Sequence, residues 1–187
     1  MEKFNNVNSI FKIIASEKLK KGDCVVDATA GNGNDILFMM NIVGKKGTGY
    51  CFDIQKEAIE NTTSKLLEEG YIDNVEVIFD GHENVDTYVT EKIDFAVFNL
   101  GYLPKANHDI ITKSKTTIIS LEKIMKLLKK NGCIVVSAYV GHDGGMDEFY
   151  DLKDYLSIVD QKKYNISCLE FINQKNNPPK LIVIEKR

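Results

Sequence analysis

The sequence predicts a doubly wound, Rossmann-like α/β fold, in which helices cover both faces of a mostly parallel, seven-stranded sheet. Short apolar runs alternate with amphipathic stretches along most of the chain, and this alternation is typical of repeated βαβ units. The end of the chain differs, because residues 163–172 and 180–185 are both strand-like and only a short polar segment separates them. A parallel pair needs a crossover of about a dozen residues or more, so these two strands are expected to form an antiparallel hairpin.

Helical periodicity indicates the positions of the helices. The clearest case is the stretch 117–130, where apolar residues recur at helical spacing from Leu121 to Leu128 and charged residues occupy the opposite face. Asn131 and Gly132 are expected to end this helix. The predicted helices are residues 9–20, 35–43, 56–69, 117–130 and 146–156.

The apolar runs between these helices predict the strands, which are residues 24–27, 49–54, 75–79, 93–98, 133–139, 163–172 and 180–185. Five strands that mostly alternate with helices, followed by a hairpin, form the architecture of class I methyltransferases. A dehydrogenase-type dinucleotide fold would instead continue with parallel strands.

The composition is that of an ordinary globular protein. The chain has 187 residues, enough for a single domain that is predicted to span 1–187, and 43% of them are hydrophobic. The net charge of −3 argues against a protein that coats nucleic acid without specificity. Because Arg187 is the only arginine, guanidinium clamps on phosphate are essentially excluded.

Neither a membrane span nor a metal site is expected. No segment has the roughly eighteen consecutive apolar residues of a transmembrane helix, and residues 1–21 lack the apolar run of a signal peptide, so a cytoplasmic protein is predicted. The four cysteines do not have the spacing of zinc ligands and are expected to be buried thiols.

A glycine-containing loop follows the first strand, at the edge of the sheet where doubly wound folds bind ligands. Gly31 and Gly33 permit positive φ and let the backbone approach a ligand, and amides at the start of the next helix can face it. Taken alone, the loop could also be a tight turn without a ligand. The residues expected to bind a cofactor here are Asp27, Thr29, Gly31, Asn32, Gly33, Asn34 and Asp35.

Two carboxylates indicate which cofactor this loop binds. Asp53 ends the second strand, where it can accept hydrogen bonds from both hydroxyls of a ribose. Asp27 would repel a pyrophosphate but can bind the positively charged amino-acid end of S-adenosylmethionine, directly or through water. We therefore predict S-adenosylmethionine as the cofactor and S-adenosylhomocysteine as the product. Further expected contacts are Ile54, Gln55, Gly81 and His82, with a solvated turn as the alternative for His82.

The loop after the fourth strand is predicted to hold the reactive end. The spacing of Asn99 and Tyr102 matches methyltransferases that act on amino groups. The Asn99 side-chain oxygen and the Leu100 carbonyl, both expected beside the cofactor, can bind the protons of an amine and direct its lone pair. Tyr102 can stack on a base, or lie in the core. His142 is a candidate proton acceptor, or a hydrogen-bonded loop histidine. The expected catalytic residues are Asn99, Tyr102 and His142.

Residues on the substrate side come from three loops. Lys105 can contact a phosphate, or be part of a solvated face. Residues 173–179 are too polar and proline-rich for an ordinary hairpin turn, so they are interpreted as a substrate loop. The residues expected to bind substrate are Gly101, Tyr102, Lys105, His142, Asn177 and Pro178.

At these residues the chain resembles a bacterial family labelled as rRNA methylases, whose members act as tRNA 5-aminomethyl-2-thiouridine methyltransferases. The resemblance extends over nearly the whole chain. It departs from the family pattern at 105–108, at Asn34 and at Ile36. The motifs that carry it are Asp27-Ala28-Thr29, Gly31-Asn32-Gly33 with Asp35, Phe52-Asp53-Ile54-Gln55, Phe98-Asn99-Leu100-Gly101-Tyr102-Leu103-Pro104, Gly141-His142 with Gly145, Asn173-Gln174 with Asn177-Pro178-Pro179, and Ile184-Glu185-Lys186.

The resemblance implies that the protein methylates the exocyclic aminomethyl nitrogen of a wobble uridine. It also implies a tRNA partner, bound at its anticodon stem-loop, and leaves a homodimer open. Alternatives are a methyltransferase acting on rRNA or on a small-molecule amine, an NAD(P)-dependent oxidoreductase, and a nucleotide-binding or RNA-binding module without catalysis.

Overall fold

The computed structural model describes residues 4–101, 114–141 and 144–187, and its centre is one mixed sheet. The strand order is β3-β2-β1-β4-β5-β7-β6, with parallel pairing from β3 to β5 and antiparallel pairing of β7 with both β5 and β6. This confirms the predicted seven-stranded sheet and its terminal hairpin. The strands are β1 (Cys24–Asp27), β2 (Thr48–Asp53), β3 (Val75–Phe79), β4 (Ile93–Leu100), β5 (Leu128–Ala138), β6 (Tyr164–Leu169) and β7 (Lys180–Lys186).

Six α-helices in the described part of the chain cover the two faces of this sheet. Apolar side chains of α1, α2 and α3 pack on one face, and those of α4, α5 and α6 pack on the other. The short helix α4 was not predicted. None of these helices combines the length and the hydropathy that a membrane span requires. Their bounds are α1 (Val7–Lys18), α2 (Asn34–Val43), α3 (Lys56–Glu68), α4 (Val85–Tyr88), α5 (Ser114–Leu127) and α6 (Gly145–Ser157).

The central strands are apolar on both sides because each side meets a helical layer. In β4, Phe95 and Val97 belong to one core cluster, whereas Ala96 and Phe98 belong to the other. Three of the four cysteines are buried as predicted. The prediction is wrong for Cys168, which is exposed because it lies on the edge strand β6.

The largest difference from the predicted elements lies between α5 and β5. The prediction extended the helix to residue 130, but it ends at Leu127, and β5 begins at Leu128 instead of Cys133. Lys186 Nζ donates to the Leu128 carbonyl at 2.8 Å and to the Met125 carbonyl at 3.1 Å, which satisfies backbone groups at the helix end. The helical periodicity predicted that Leu128 is buried, and it is, although it lies in β5 and not in the helix. A strand residue at this point of the chain can fill the same core position.

The chain builds the sheet in one direction from β1 to β3 and then returns to the other side of β1 with β4. This change of direction positions the functional site. β1 pairs with β2 on one side and with β4 on the other, so the loops that follow β1 and β4 diverge to opposite faces of the sheet. A crevice forms at such a switch point, outside the carboxyl ends of the strands. The residues singled out in the sequence at the ends of β1, β2, β3 and β4 all reach this edge.

Candidate cofactor and active site

A cavity of about 930 Å³ opens at the carboxyl edge of the sheet. Its size lies within the range of small-molecule and cofactor sites. The cavity brings together loops that follow β1, β2, β3, β4 and β5. The predicted site residues that line it are Thr29, Gly31, Asn32, Asn34, Asp35, Asp53, Ile54, Gln55, Gly81, His82, Asn99, Gly101 and Asn177.

The glycine loop adopts the backbone conformation that its glycines permit. Gly31 and Gly33 have φ values of 52° and 69°, in the left-handed region. Gly31 lines the cavity, and its amide donates to Asp53 Oδ2 at 2.9 Å. Gly33 does not line the cavity, so the geometry does not support its predicted role in cofactor binding. A Cβ at this position would lie 3.0 Å from the Thr62 Cα, which shows that Gly33 allows close packing of the loop on α3.

We expect Gly33→Ala to lower the free energy of unfolding by about 2–4 kcal/mol, since it combines a left-handed φ with a backbone clash. Gly70→Ala is the matched control, because Gly70 has a φ of +73° and a Cβ there would meet only Lys45 Nζ at 3.8 Å. Its expected cost is about 1 kcal/mol. Urea unfolding of both variants measures the difference, and equal losses would contradict the packing role of Gly33.

Asp27 is buried and holds the loop through hydrogen bonds to its backbone. This corrects the expectation that Asp27 contacts a cofactor directly. Its side chain is completely buried and does not line the cavity. Asp27 Oδ1 accepts a hydrogen bond from the Thr29 amide and Oδ2 accepts one from the Ile36 amide, both at 3.1 Å. Burial, together with the neighbouring Asp35 carboxylate, raises the pKa of Asp27. Asp35 in the first turn of α2, and not Asp27, presents a carboxylate to the cavity.

The loops after β1 and β4 are joined through Asn99. Asn99 Nδ2 donates to Asp35 Oδ2 at 2.7 Å, and the Asn99 amide donates to Thr29 Oγ1 at 2.8 Å. Burial raises the pKa of Asp35, while the hydrogen bond from Asn99 and the charge of Lys12 oppose this effect. Since the side-chain nitrogen of Asn99 is directed to Asp35, its side-chain oxygen is the group suited to accept a hydrogen bond from a ligand.

Asp53 and Ile54 form a second part of the cavity wall. Asp53 Oδ1 accepts from the Gln55 amide at 2.9 Å, and Oδ2 accepts from the Gly31 amide. Each carboxylate oxygen has a further lone pair, so both can still accept from a diol. Ile54 is 55% exposed although it is a large apolar residue, because its side chain faces the open cavity. A carboxylate beside an apolar surface suits a nucleoside.

Asp80 contributes another carboxylate to the cavity wall. It follows β3 directly and precedes Gly81 and His82, in the segment that the sequence places where such folds usually meet an adenine. Burial alone would raise the pKa of Asp80, but hydrogen bonds from the Asn84 side chain, the Gly81 amide and the Tyr88 hydroxyl lower it. The group is therefore an ionised acceptor at neutral pH.

His82 lines the cavity as a packed side chain, so the alternative of a solvated turn residue is wrong. Its Nδ1 lies 3.1 Å from the Ala28 carbonyl oxygen, and its ring packs edge-on against Phe98 with 5.6 Å between the centroids. Nε2 is buried and has no hydrogen-bond partner among the described residues. Burial lowers the pKa of His82, so the ring is neutral at pH 7.

Two further residues that the sequence predicts to bind a ligand, Leu100 and Pro178, do not line the cavity. Leu100 is buried, and its carbonyl, expected to bind the protons of an amine, accepts from the Tyr139 amide at 3.1 Å because the chain extends the β4–β5 pairing there. In the hairpin loop the lining residues are Asn177 and Pro179, and the predicted Pro178 is not among them. Tyr102, Lys105 and His142 lie outside the described residues.

The first helix also reaches the cavity, which the sequence did not indicate. Asn8 and Lys12 of α1 line it together with Tyr139, the residue that follows β5. The Tyr139 hydroxyl donates to Asn8 Oδ1 at 3.3 Å. Spacing of four residues places Asn8 and Lys12 on one helical face, but the periodicity of α1 did not reveal that this face meets the glycine loop.

Comparison with known proteins identifies the family of this chain. The family model described as "Putative rRNA methylase" matches residues 50–185. A tRNA (mnm(5)s(2)U34)-methyltransferase of Arabidopsis thaliana, described as chloroplastic, is 40% identical over 147 residues, which make up 73% of this chain and 53% of that protein. The chain thus spans about half the length of this curated relative.

Two solved structures match the chain over nearly its full length. A "putative rRNA-methylase" of Clostridium thermocellum is 44% identical, with a TM-score of 0.97 and full coverage of both chains. A "putative methyltransferase" of Streptococcus mutans, solved in complex with S-adenosylhomocysteine, is 35% identical, with a TM-score of 0.89 and coverage of 98% of this chain and 99% of that one. This chain therefore belongs to the "Putative rRNA methylase" family of class I, S-adenosylmethionine-dependent methyltransferases.

Proposed function

We propose that this protein N-methylates the 5-aminomethyl group of wobble 5-aminomethyl-2-thiouridine in tRNA. The observation that carries the proposal is a single cavity with two chemically different ends. One end has the Asp53 carboxylate and the exposed Ile54 side chain, which suit a nucleoside, and the other has the hydrogen-bonded pair of Asp35 and Asn99. The name of the Arabidopsis relative supports this substrate class.

The lining residues fit S-adenosylmethionine. Asp53 would hold the ribose hydroxyls, Ile54 would pack on the adenine, and the ionised Asp80 would accept from an exocyclic amine. Asp35 would hold the ammonium group at the other end. When bound, this cofactor supplies an electrophilic methyl group on a sulfonium.

Asn99 is proposed to orient the amine that is methylated. Because its side-chain nitrogen is held by Asp35, its side-chain oxygen can accept a hydrogen bond from one N–H of the amine, and this contact would direct the nitrogen lone pair. An alkylamine is mostly protonated at neutral pH, so the site must bind the neutral amine or accept its proton. His142 is the proposed acceptor. Tyr102 is proposed to stack on the uridine.

The RNA is proposed to bind on the side of the cavity formed by the loops after β4 and β5. Lys115, at the start of α5, is exposed there and adds to the positive charge of Lys105 and Lys113 in the preceding segment. Phosphate contacts of this kind would position the anticodon stem-loop, while the pocket selects the base.

Nucleoside analysis of tRNA tests the proposed substrate. The protein would be incubated with S-adenosylmethionine and tRNA that carries 5-aminomethyl-2-thiouridine, and the digested nucleosides would be measured by mass spectrometry. We expect this nucleoside to be replaced by one in which a methyl group has replaced a hydrogen of the amine, a net gain of CH2. Parallel reactions contain ribosomal RNA or the free nucleoside. Methylation of either one without methylation of tRNA would overturn the proposed substrate in favour of rRNA or a small amine.

A further inference from the structure

The face of α1 that reaches the cavity presents one cation beside the glycine loop. Lys12 lies one helical turn after Asn8, and the two residues line the cavity together. Asn8 is held by the Tyr139 hydroxyl, and Lys12 Nζ lies 5.3 Å from the centroid of the Phe38 ring in α2. The ammonium group is thus positioned against the same helix whose first turn carries Asp35.

Lys12 differs in charge from the acidic residues that line the cavity. The described lining residues include four carboxylates, and Lys12 is the only lysine or arginine among them. In the part of the chain that the structure describes, no carboxylate lies within 4.0 Å of Lys12 in an ion pair. Its positive charge also lowers the pKa of Asp35, which indicates that the two groups are near each other. The carboxylates of the cavity wall are Asp35, Asp53, Asp80 and Glu83.

The amino-acid end of S-adenosylmethionine carries both an ammonium and a carboxylate. In the proposed function Asp35 accounts for the ammonium, but its own negative charge would repel the adjacent carboxylate. A cation at this end would offset the repulsion and let both charges bind together. We propose that Lys12 binds the α-carboxylate of the cofactor, an inference that rests on the proposed function.

If Lys12 contacts the α-carboxylate directly, it should affect selectivity between ligands. A long-range effect of its charge would not predict this selectivity. Lys12 should favour ligands that contain the carboxylate over otherwise identical ligands that lack it. S-adenosylhomocysteine and its decarboxylated analogue, S-adenosyl-3-thiopropylamine, form such a pair, because both keep the nucleoside, the sulfur and the amine.

Calorimetric titration of both ligands into four proteins tests the inference. The proteins are the parent, Lys12→Met, Lys12→Arg and Lys20→Met, and Lys20 is the control because it is exposed and lies outside the cavity lining. We expect Lys12→Met to weaken S-adenosylhomocysteine binding about tenfold, the effect of one charge-assisted hydrogen bond. Binding of the decarboxylated analogue should change less than about twofold, which also shows that the variant is folded. Lys20→Met should behave as the parent, and Lys12→Arg should restore most of the affinity.

Three results would overturn the inference. Equal losses for both ligands would mean that Lys12 does not contact the carboxylate. An unchanged affinity for S-adenosylhomocysteine with a raised KM for tRNA would assign Lys12 to an RNA phosphate instead. If the parent protein bound neither ligand, the cofactor assignment and the proposed function would fail as well, whereas the first two results leave them standing.

Discussion

Asp53→Ala is expected to abolish binding of S-adenosylmethionine while the protein remains folded. The substitution removes the proposed acceptor of the ribose hydroxyls. It also releases the Gly31 amide, which donates to Asp53 Oδ2 at 2.9 Å and thereby holds the glycine loop against the end of β2. Loss of two ligand hydrogen bonds to a charged group corresponds to at least about 3 kcal/mol, or a loss of affinity of about a hundredfold or more.

Binding of S-adenosylhomocysteine, measured by calorimetry, checks this expectation. Asp151→Ala is the matched control, since it removes an exposed carboxylate of α6 that does not line the cavity. Thermal unfolding should show that Asp53→Ala remains cooperative, with a stability loss of about 1–2 kcal/mol from the unpaired Gly31 amide. An affinity within a factor of about three of the parent, or about 0.6 kcal/mol, would contradict the assignment of Asp53 to the cofactor.

Asn99→Ala is expected to lower the single-turnover rate of methyl transfer by about a hundredfold or more, the size of a lost positioning contact. Cofactor affinity should change much less. The Asn99 backbone amide still donates to Thr29 Oγ1 in this variant, so the loops after β1 and β4 remain joined. The experiment uses excess enzyme and one modified tRNA, with S-adenosylhomocysteine affinity measured in parallel.

Asn99→Asp separates the two contacts that Asn99 makes. It keeps an oxygen that can bind the amine, but it replaces the nitrogen that donates to Asp35 Oδ2 at 2.7 Å with a second carboxylate. Two carboxylates at this distance repel each other unless they share a proton. The rate of Asn99→Asp should therefore lie between those of the parent and Asn99→Ala. If Asn99→Ala transferred methyl as fast as the parent, Asn99 would be only a wall of the pocket.

Much of the fold could be predicted because its signals are local. Alternating apolar and amphipathic stretches identified all seven strands, and most element ends agree with the structure to within two residues. The largest exception, at Leu128, has a tertiary cause. Lys186, 58 residues after Leu128, donates hydrogen bonds to carbonyls at the end of α5. Helical periodicity cannot predict a contact between residues so far apart in the sequence.

The candidate site was predictable to the extent that it lies at the ends of parallel strands. Asp53, Asn99 and the glycine loop line one cavity because the carboxyl ends of β1, β2 and β4 meet at the same edge of the sheet. Position in the sequence could not distinguish a residue that faces this cavity from one that supports it. Gly33 and Leu100 show this, since both lie beside lining residues and yet pack against protein.

The sequence by itself determined the fold class, the edge of the sheet that carries the site, and the family, because apolar periodicity and short motifs depend on neighbours in the chain. Only the tertiary structure decided which carboxylate faces the cavity. Asp27 ends β1 and Asp35, eight residues later, lies in the first turn of α2. Asp27 is completely buried and accepts hydrogen bonds from two backbone amides, while Asp35 pairs with Asn99 from β4. Burial and long-range pairing arise when distant elements pack, and for that reason the contribution of Lys12 from α1 also became visible only in the folded chain.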